Sequence, residues 1–237
     1  MTKTVVLCSG GIDSVTLAYK VAAERALERL VSFDYGQRHR REIEHAAAIA
    51  ARLGARHDVV DISGLGRFLT SSSLIHGGEA VPDGHYAESN MKSTVVPNRN
   101  AIMLSIAFGI ANGAKADAVG IAVHSGDHFI YPDCRPAFVE AFRAMQECAL
   151  EGMGEVALYA PFTGIDKAGI VREGSRLGVP YELTWSCYKG GAQHCGRCGT
   201  CVERAEAFHL AGVPDPTQYA DSDYWRGAVA KMRAPHS

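Results

Sequence analysis

The chain has 237 residues and a mass of 25.4 kDa; 47% of the residues are hydrophobic and 21% are charged. This composition supports a buried core and excludes a disordered or fibrous protein. The 24 Lys and Arg residues nearly balance the 26 Asp and Glu residues, and the resulting charge of −2 argues against a protein that coats nucleic acid or an anionic membrane.

The N-terminal segment runs directly into an apolar strand-like stretch and lacks the length and cleavage pattern of a signal peptide. No apolar run approaches the roughly 18–20 residues that a membrane-spanning helix needs. The sequence therefore predicts a soluble cytoplasmic protein with no membrane partner.

Apolar strand-like runs alternate with helical patterns along most of the chain. The predicted strands cover residues 4–8, 30–35, 57–62, 118–123 and 156–162. The predicted helices cover residues 13–23, 40–53, 101–111, 135–150 and 167–177. Strands that are apolar on both faces and alternate with helices indicate an α/β fold, a doubly wound parallel sheet with helices on each side.

Two segments depart from this alternation. Residues 63–98 show no sustained period, which is typical of a lid, a binding loop or a subunit contact. The end of the chain holds clustered cysteines, a short predicted helix at 202–210 and an irregular terminus. We therefore predict an α/β domain at 1–180 and a small cysteine-rich C-terminal region at 181–237 that packs on it.

A loop containing two glycines follows the first predicted strand and leads into the first predicted helix. It has the sequence Ser9-Gly10-Gly11-Ile12-Asp13-Ser14. The glycines allow a sharp turn, the helix N-terminus contributes the positive end of its dipole, and the two serines add hydroxyl donors, so the loop suits a phosphate group. It is not the usual P-loop, because the chain has no Gly-x4-Gly-Lys sequence. An ordinary strand–helix turn is the alternative explanation.

Four of the seven cysteines form a cluster late in the chain. Their spacing is Cys187-x7-Cys195-x2-Cys198-x2-Cys201. Clustered thiolates in a reducing compartment indicate a metal, and four cysteine ligands are typical of a closed structural Zn²⁺ site. An iron–sulfur cluster is the main competitor, and a site in which His194 or His209 replaces Cys187 is another alternative.

Further polar and aromatic segments occur in a characteristic order. They are Phe33-Asp34-Tyr35-Gly36-Gln37-Arg38-His39, Val96-Pro97-Asn98-Arg99-Asn100, Tyr131-Pro132-Asp133-Cys134-Arg135-Pro136 and Leu183-Thr184-Trp185-Ser186-Cys187. The glycine loop resembles the PP-loop of the N-type ATP pyrophosphatases. Together with the cysteine cluster, these segments resemble the QueC/ExsB family of queuosine biosynthesis, the 7-cyano-7-deazaguanine synthases, over nearly the whole chain.

The resemblance implies an ATP-dependent ligase that converts 7-carboxy-7-deazaguanine and ammonia into 7-cyano-7-deazaguanine through an adenylated carboxylate and an amide. It also implies an adenine nucleotide α-hydrolase-like, Rossmann-like sheet, one structural zinc, a homodimer and no nucleic-acid partner. ATP is expected with Mg²⁺, through which Asp13 acts. The ATP-binding residues that we predict are Ser9, Gly10, Gly11, Ile12, Asp13, Ser14 and Arg38.

Polar residues after the fourth predicted strand are candidates for the substrate pocket, because ligands of open α/β sheets gather at the carboxyl ends of strands. Arg38 and Arg99 begin predicted helices, where a cation opposes the helix dipole unless an anion shares the site. An acid such as Asp133 suits the guanine-like edge, or alternatively caps a helix; Lys167 reaches ATP phosphates, or alternatively faces solvent. The predicted catalytic residues are Asp13, Arg99, Asp127, Asp133 and Lys167. The predicted substrate-binding residues are Asn98, Arg99, Asp127, Tyr131, Asp133 and Arg135.

One segment departs from the family pattern, and other functions stay open. The chain has His128-Phe129-Ile130 where family members often have Tyr-Ser-Gly, which bears on the acceptor or the product. A related enzyme that stops at the amide, or transfers the activated deazaguanine to another amine, is therefore an alternative. A tRNA-thiolating PP-loop enzyme is disfavoured by the near-neutral charge and the lack of a separate tRNA-binding domain. A nucleotide-sensing zinc module without turnover is the alternative from another class.

Overall fold

The computed structural model describes residues 1–38, 40–68, 72–75 and 79–233. Five parallel strands form one sheet: β1 (Lys3–Leu7), β2 (Ala26–Asp34), β3 (Arg56–Asp61), β4 (Ala118–Gly120) and β5 (Ala157–Tyr159). The order across the sheet is β3-β2-β1-β4-β5. The strand order reverses between β1 and β4, which is where open α/β sheets bind their ligands. The predicted doubly wound parallel sheet is confirmed.

Helices cover both faces of this sheet. They are α1 (Ile12–Glu24), α2 (Arg41–Leu53), α3 (Arg99–Gly113), α4 (Pro136–Ala149), α5 (Lys167–Arg176), α6 (Gly199–Ala211) and α7 (Tyr224–Arg233). Successive strand residues point to opposite faces, so Val5 packs with Phe108 of α3 and Phe142 of α4, whereas Val6 packs in the core that contains Val15 of α1 and Ile49 of α2. Two apolar cores therefore hold the sheet between its helix layers.

Three elements differ from their predictions. Strands β4 and β5 have three residues each, shorter than the predicted 118–123 and 156–162. The chain after β4 leaves the sheet because it turns into a 3₁₀ segment, Ser125–Phe129, which the side chain of His124 caps. The prediction of an irregular terminus was wrong for α7, whose Ala228 and Val229 pack against Val202 of α6. Its apolar face is only a few residues wide, so the helical period is weak before packing is known.

Residues 63–98 form a packed segment with little regular structure. Residues 69–71 and 76–78 of this stretch lie outside the described part of the chain. The described part holds two 3₁₀ segments, Ser63–Phe68 and Ser89–Thr94. Buried side chains from it, among them Tyr86 and Met91, join the core on the α3 face. The prediction that the segment acts as a lid, a binding loop or a subunit contact stays a prediction.

The C-terminal region packs closely against the rest of the fold. Helix α6 lies on α5, and the side chain of Arg204 is fully buried. Its guanidinium donates to the carbonyl of Tyr181 at 3.1 Å and to Oγ1 of Thr184 at 2.7 Å, and it pairs with Asp215 at 3.3 Å. The domain boundary at residue 180 stays a prediction. Within the described ranges, no helix is long and apolar enough to cross a membrane.

Candidate active site and metal centre

A deep cleft opens at the carboxyl ends of β1 and β4, where the strand order reverses. The glycine loop, the start of α3 and part of the C-terminal region line it. Two groups of polar and aromatic side chains lie at this cleft, and His124 and Glu203 of the first group stand behind its wall. The charged cluster consists of Asp13, His124, Asp127, Lys167 and Glu203. The aromatic cluster consists of Tyr35, Glu42, Arg99, Tyr131 and Tyr188.

The glycine loop is held by contacts from outside itself. Gly10 has a φ of 86°, and a Cβ at this position would collide with the backbone oxygen of Glu42. The carbonyl of Gly10 accepts a hydrogen bond from the amide of Trp185 at 2.9 Å. Among the described residues, no side chain accepts a hydrogen bond from the first amides of α1 after Gly11. These amides can therefore bind an anion, and the loop fits a bound phosphate.

The serines predicted to bind phosphate face each other across the loop. Oγ of Ser14 accepts from the amide of Ser9 at 3.2 Å and donates to the carbonyl of Gly11 at 3.2 Å. The two hydroxyl oxygens lie 3.2 Å apart. Both hydroxyls are therefore fixed beside the helix N-terminus. The single proton of Ser14 goes to the carbonyl of Gly11 in this arrangement, so the Ser9 hydroxyl is the one that can donate to an anion without breaking that contact.

Lys167 is the central cation of the charged cluster. Its Nζ lies 3.2 Å from Oδ2 of Asp13 and 2.6 Å from Oε2 of Glu203. Burial disfavours the charged amine, but the attraction of Asp13 and Glu203 outweighs it and raises the pKa of Lys167. The side chain is therefore a fixed positive charge at the start of α5. The alternative in which Lys167 faces solvent is wrong, because its side chain is only 14% exposed.

Two carboxylates of the charged cluster suit a divalent cation. Nε2 of His124 lies 3.8 Å from Oδ2 of Asp13 and 3.5 Å from Oδ2 of Asp127. Oδ1 of Asp13 is buried and has no hydrogen-bond partner in the described structure. A buried carboxylate oxygen without a partner is costly, and oxygen ligands of this kind are those that Mg²⁺ binds. The site therefore fits Mg²⁺ arriving with a nucleotide.

The aromatic cluster contains a cation and a carboxylate that are not paired with each other. The guanidinium of Arg99 lies 3.4 Å from the hydroxyl of Tyr35 and over its ring, and it forms no ion pair among the described residues. Burial raises the pKa of Glu42 to about 7, although Arg99 acts in the opposite direction. Burial also raises the pKa of Tyr35 and Tyr188. These walls suit a flat heterocycle with both donors and acceptors.

The structure brings together most of the predicted site residues. Those that line the cleft are Ser9, Gly11, Ile12, Asp13, Ser14, Arg99, Asp127, Tyr131 and Lys167. Gly10 shapes the loop through its backbone. The hydroxyl of Tyr86, which sequence reasoning missed, donates to Oδ1 of Asp127 at 3.1 Å.

Besides Gly10, four predicted site residues do not line the cleft. The carboxylate of Asp133 accepts from the backbone amide of Asn100 at 2.9 Å, at the N-terminus of α3. Arg135 donates to the carbonyl of His128 at 2.9 Å, and Arg38 donates to the carbonyl of Glu79 at 2.6 Å. Asn98 is exposed and precedes α3 with a φ of 61°. Roles for these four residues in binding or catalysis stay predictions.

Some residues of the site carried only a weak local signal. His124 follows the fourth strand and begins a polar segment, and this position indicates a residue near the ligand-binding edge of the sheet. Glu42 lies just beyond the Phe33–His39 motif, on a helix whose one other acid, Glu44, is exposed. Glu203 and Tyr86 come from parts of the chain far from the glycine loop, and no pattern near them indicates a cleft.

The four clustered cysteines come together in space. The Sγ atoms of Cys187, Cys195, Cys198 and Cys201 all lie within 4.8 Å of one another. The amides of Arg197 and Cys198 donate to Sγ of Cys195 at 3.4 and 3.3 Å, an arrangement that stabilises a thiolate. Nε2 of His194 instead accepts from the amide of Ser186 at 3.1 Å. The group therefore fits a metal ion held by four sulfurs, and not the alternative with a histidine.

Comparisons with known proteins agree with this geometry. The chain matches the family model described as "Queuosine biosynthesis protein QueC" over residues 3–212. A 7-cyano-7-deazaguanine synthase from Rhizobium meliloti is 65% identical over 232 residues, which cover 98% of each chain. Another from Paracoccus denitrificans is 62% identical over 97% of this chain and 98% of its own. The solved NMN synthetase of Francisella tularensis has a TM-score of 0.50 at 13% identity, covering 100% of this chain and 88% of that one, which is a likeness of fold alone.

Proposed function

Because the chain belongs to the QueC family of queuosine biosynthesis proteins, we infer that it is a 7-cyano-7-deazaguanine synthase, an ATP-dependent ligase. The observation that carries this inference is the high identity to synthases of that name over almost the entire length of both chains. The cleft supports it independently, since a phosphate cradle, a charged cluster and an aromatic cluster meet in one place.

The chemistry requires ATP because a carboxylate does not react with ammonia when oxide would have to leave. Transfer of AMP to the 7-carboxylate releases pyrophosphate and creates a good leaving group. Ammonia then displaces AMP to give the amide. A second transfer of AMP, now to the amide oxygen, again releases pyrophosphate. That oxygen then leaves as part of AMP, and loss of two protons from nitrogen gives the nitrile. Both activations need the α-phosphate beside the substrate oxygen, so positioning and charge stabilisation account for most of the catalysis.

The residues of the charged cluster match these needs. The first amides of α1, with Ser9 and Ser14, would bind the pyrophosphate part of ATP. Asp13 and Asp127 would hold Mg²⁺ with the phosphate oxygens. The fixed charge of Lys167 would stabilise the negative charge that develops on the α-phosphate.

The residues of the aromatic cluster would bind the deazapurine. Arg99 has no carboxylate partner in the described part of the chain, so it is free to contact the substrate carboxylate or its carbonyl. Tyr131 would form part of the wall. Substrate-binding roles for Asn98, Asp133 and Arg135, and an ATP-binding role for Arg38, rest on their positions in the sequence alone.

We further propose that the four cysteines bind one structural Zn²⁺. Sulfur fills all four positions of a tetrahedral site, so the ion would stabilise the fold and take no part in the reaction. Metal analysis of the purified protein should give one zinc per chain and no iron. Visible absorption typical of an iron–sulfur cluster would contradict this assignment.

The segment that departs from the family pattern does not form the cleft wall. His128, Phe129 and Ile130 are absent from the residues that line the cleft, and the Phe129 side chain is 76% exposed. This placement favours the nitrile over the alternative in which the enzyme stops at the amide. Cytoplasmic localisation and a homodimer stay predictions; light scattering of the purified protein would test the dimer.

The test is mass spectrometry of a reaction that contains the zinc-loaded protein, Mg·ATP, ammonium and 7-carboxy-7-deazaguanine. We expect 7-cyano-7-deazaguanine to form, and we expect Asp13→Asn to abolish it. Asp223→Asn, at an acid that is 81% exposed and immediately precedes α7, is the matched control and should retain activity. Accumulation of the amide alone would support the related-enzyme alternative. ATP consumption that does not depend on the deazapurine acid would contradict the synthase assignment.

A further inference from the structure

Glu42 is a carboxylate of the cleft that has no partner in the described part of the chain. It lies in the first turn of α2 and lines the cleft, but it forms no hydrogen bond or ion pair among the described residues. The acids of the charged cluster differ, because Asp13 and Glu203 pair with Lys167 and Asp127 accepts from Tyr86. Among the described acids that line the cleft, Glu42 is thus the one with neither carboxylate oxygen bound, whereas Asp13 has one oxygen paired and Asp127 has both.

The side chain of Glu42 belongs to the aromatic cluster, although its helix turn packs against the glycine loop. The positive charge of Arg99 opposes the rise in the pKa of Glu42. It also opposes the rise in the pKa of Tyr35 and Tyr188. The backbone oxygen of Glu42 contacts Gly10, so the helix turn that carries it is fixed against the glycine loop. A half-buried carboxylate in an aromatic wall loses part of its hydration, and donors from a ligand would offset that cost.

Two bases, adenine and the 7-deazaguanine, are candidates for contact with Glu42, and their hydrogen-bonding edges distinguish them. A carboxylate only accepts hydrogen bonds, and its two oxygens suit two parallel donors. The Watson–Crick edge of adenine has a donor beside an acceptor, so it cannot satisfy both oxygens. A 7-deazaguanine has N1–H and the 2-amino group side by side, which can.

We propose that Glu42 determines the specificity for the deazapurine by accepting hydrogen bonds from its N1–H and 2-amino groups. This inference rests on the proposed function. The sequence analysis assigned contact with the guanine-like edge to an acid such as Asp133, and we now assign that contact to Glu42. The Asp133 carboxylate is already bound to the amide of Asn100, and Asp127 belongs to the charged cluster. Arg99, in the same cluster, would donate to the neighbouring carbonyl of the base.

The first test is Glu42→Gln, which keeps the shape but places an amide donor against the donors of the base. The KM for 7-carboxy-7-deazaguanine should rise about 10- to 100-fold, as expected for the loss of hydrogen bonds to a charged group, and the KM for ATP should stay within about twofold. Glu44→Gln, at an exposed acid of the same helix turn, is the matched control and should leave both constants unchanged. Equal effects on both KM values, or no effect on either, would overturn the proposal.

The second test uses an analogue that has hydrogen in place of the 2-amino group. For the wild-type protein the analogue should lower kcat/KM about tenfold or more, because the carboxylate loses a donor. For Glu42→Gln the further loss should be much smaller, because both changes remove one interaction. Losses that multiply independently would indicate a merely structural role and overturn the proposal.

Calorimetric binding separates this inference from the proposed function. Titration of 7-carboxy-7-deazaguanine into the wild-type protein and Glu42→Gln requires no turnover, and the variant should bind about tenfold or more weakly. Thermal unfolding of both proteins, with Glu42→Asp as a second variant, confirms that the fold is intact. If the wild-type protein binds the acid but makes no nitrile, the proposed function fails while Glu42 is still tested. If both proteins bind equally, the proposal for Glu42 fails alone.

Discussion

Gly10 turns the chain from β1 into α1 with a φ of 86°, and its lack of a Cβ leaves room for the backbone of α2. The glycine is therefore required on two grounds, because the left-handed region disfavours other residues and the space is already filled. The same contact fixes the turn that carries Glu42 beside the loop that would bind phosphate. A single backbone contact thus links the two parts of the cleft.

Gly10→Ala should destabilise the protein by about 2 kcal/mol or more, since it combines a left-handed alanine with a backbone collision. Gly109→Ala is the matched control, because this exposed glycine of α3 has open space around its Cα and its replacement should stabilise the protein by about 0.5–1 kcal/mol. Urea denaturation of both variants measures these changes in the free energy of unfolding. Equal stability of Gly10→Ala and the wild type would show that the loop is not held as described.

Glu203 should act as a positioning residue for Lys167. Removing its charge leaves Lys167 paired with Asp13 but free to turn away from the α-phosphate, so Glu203→Gln should lower kcat about 5- to 20-fold with little change in the KM for the deazapurine. Lys167→Ala should cost about 100-fold or more, because it removes a charge that stabilises the transition state. Lys231→Ala, at an exposed lysine of α7, is the control. Steady-state kinetics measures these effects; a larger loss for Glu203→Gln than for Lys167→Ala would contradict the assigned roles.

Helices α1 and α5 are joined by an ionic contact on the face opposite α3. Glu173 of α5 lies 3.0 Å from Lys20 of α1 and 3.0 Å from Arg176 of its own helix. Hydrogen bonds from Arg176 and Lys20 lower the pKa of Glu173 from 4.5 to about 2. The pKa of Glu173 is lower in the native state than in the unfolded state. Its contacts with Lys20 and Arg176 therefore stabilise the fold above pH 4.5, and this contribution disappears as the pH falls towards 2.

Glu173→Gln should therefore lower the free energy of unfolding by about 1 kcal/mol at neutral pH, a value reduced by solvent screening at this partly exposed site. The difference from the wild type should narrow steadily as the pH falls from 4.5 towards 2. Denaturation series at several pH values measure this, with Glu140→Gln, at an exposed acid of α4, as the control. A difference that does not change with pH would show that packing, and not charge, accounts for it.

The cysteine group connects the C-terminal region to the cleft. Trp185, just before Cys187, donates to the loop carbonyl of Gly10 at 2.9 Å, and Glu203, just after Cys201, pairs with Lys167 at 2.6 Å. A metal at the four sulfurs would thus hold both contacts in place, although it lies outside the cleft. Structural metal sites of this kind contribute directly to the free energy of folding.

Removal of the metal by a chelator should lower the melting temperature by about 10 °C and abolish nitrile formation, and added Zn²⁺ should restore both. Cys198→Ser should behave like the stripped protein. Cys148→Ser, at an exposed cysteine outside the group, should behave like the wild type. Calorimetry together with metal analysis provides the measurement. A stripped protein that melts at the same temperature as the loaded one would contradict a structural role for the ion.

The linear pattern was enough to establish the α/β alternation, the glycine loop and the four-cysteine group. Each depends on residues close together in the chain: apolar periods mark strands and helices, two adjacent glycines mark the turn after β1, and cysteine spacing marks a metal site. Even the position of the cleft followed, because the carboxyl ends of parallel strands meet at one edge of the sheet.

Packing was needed to establish which side chains share the cleft. Asp133 had two possible uses, and the amide of Asn100 takes its carboxylate only because α3 begins beside it in the folded chain. Glu203 meets Lys167 across 36 positions, and Glu42 is left without a partner among the described residues by the way α2 packs against the glycine loop. Such contacts depend on how the helices pack against the sheet, and local sequence propensities do not predict them.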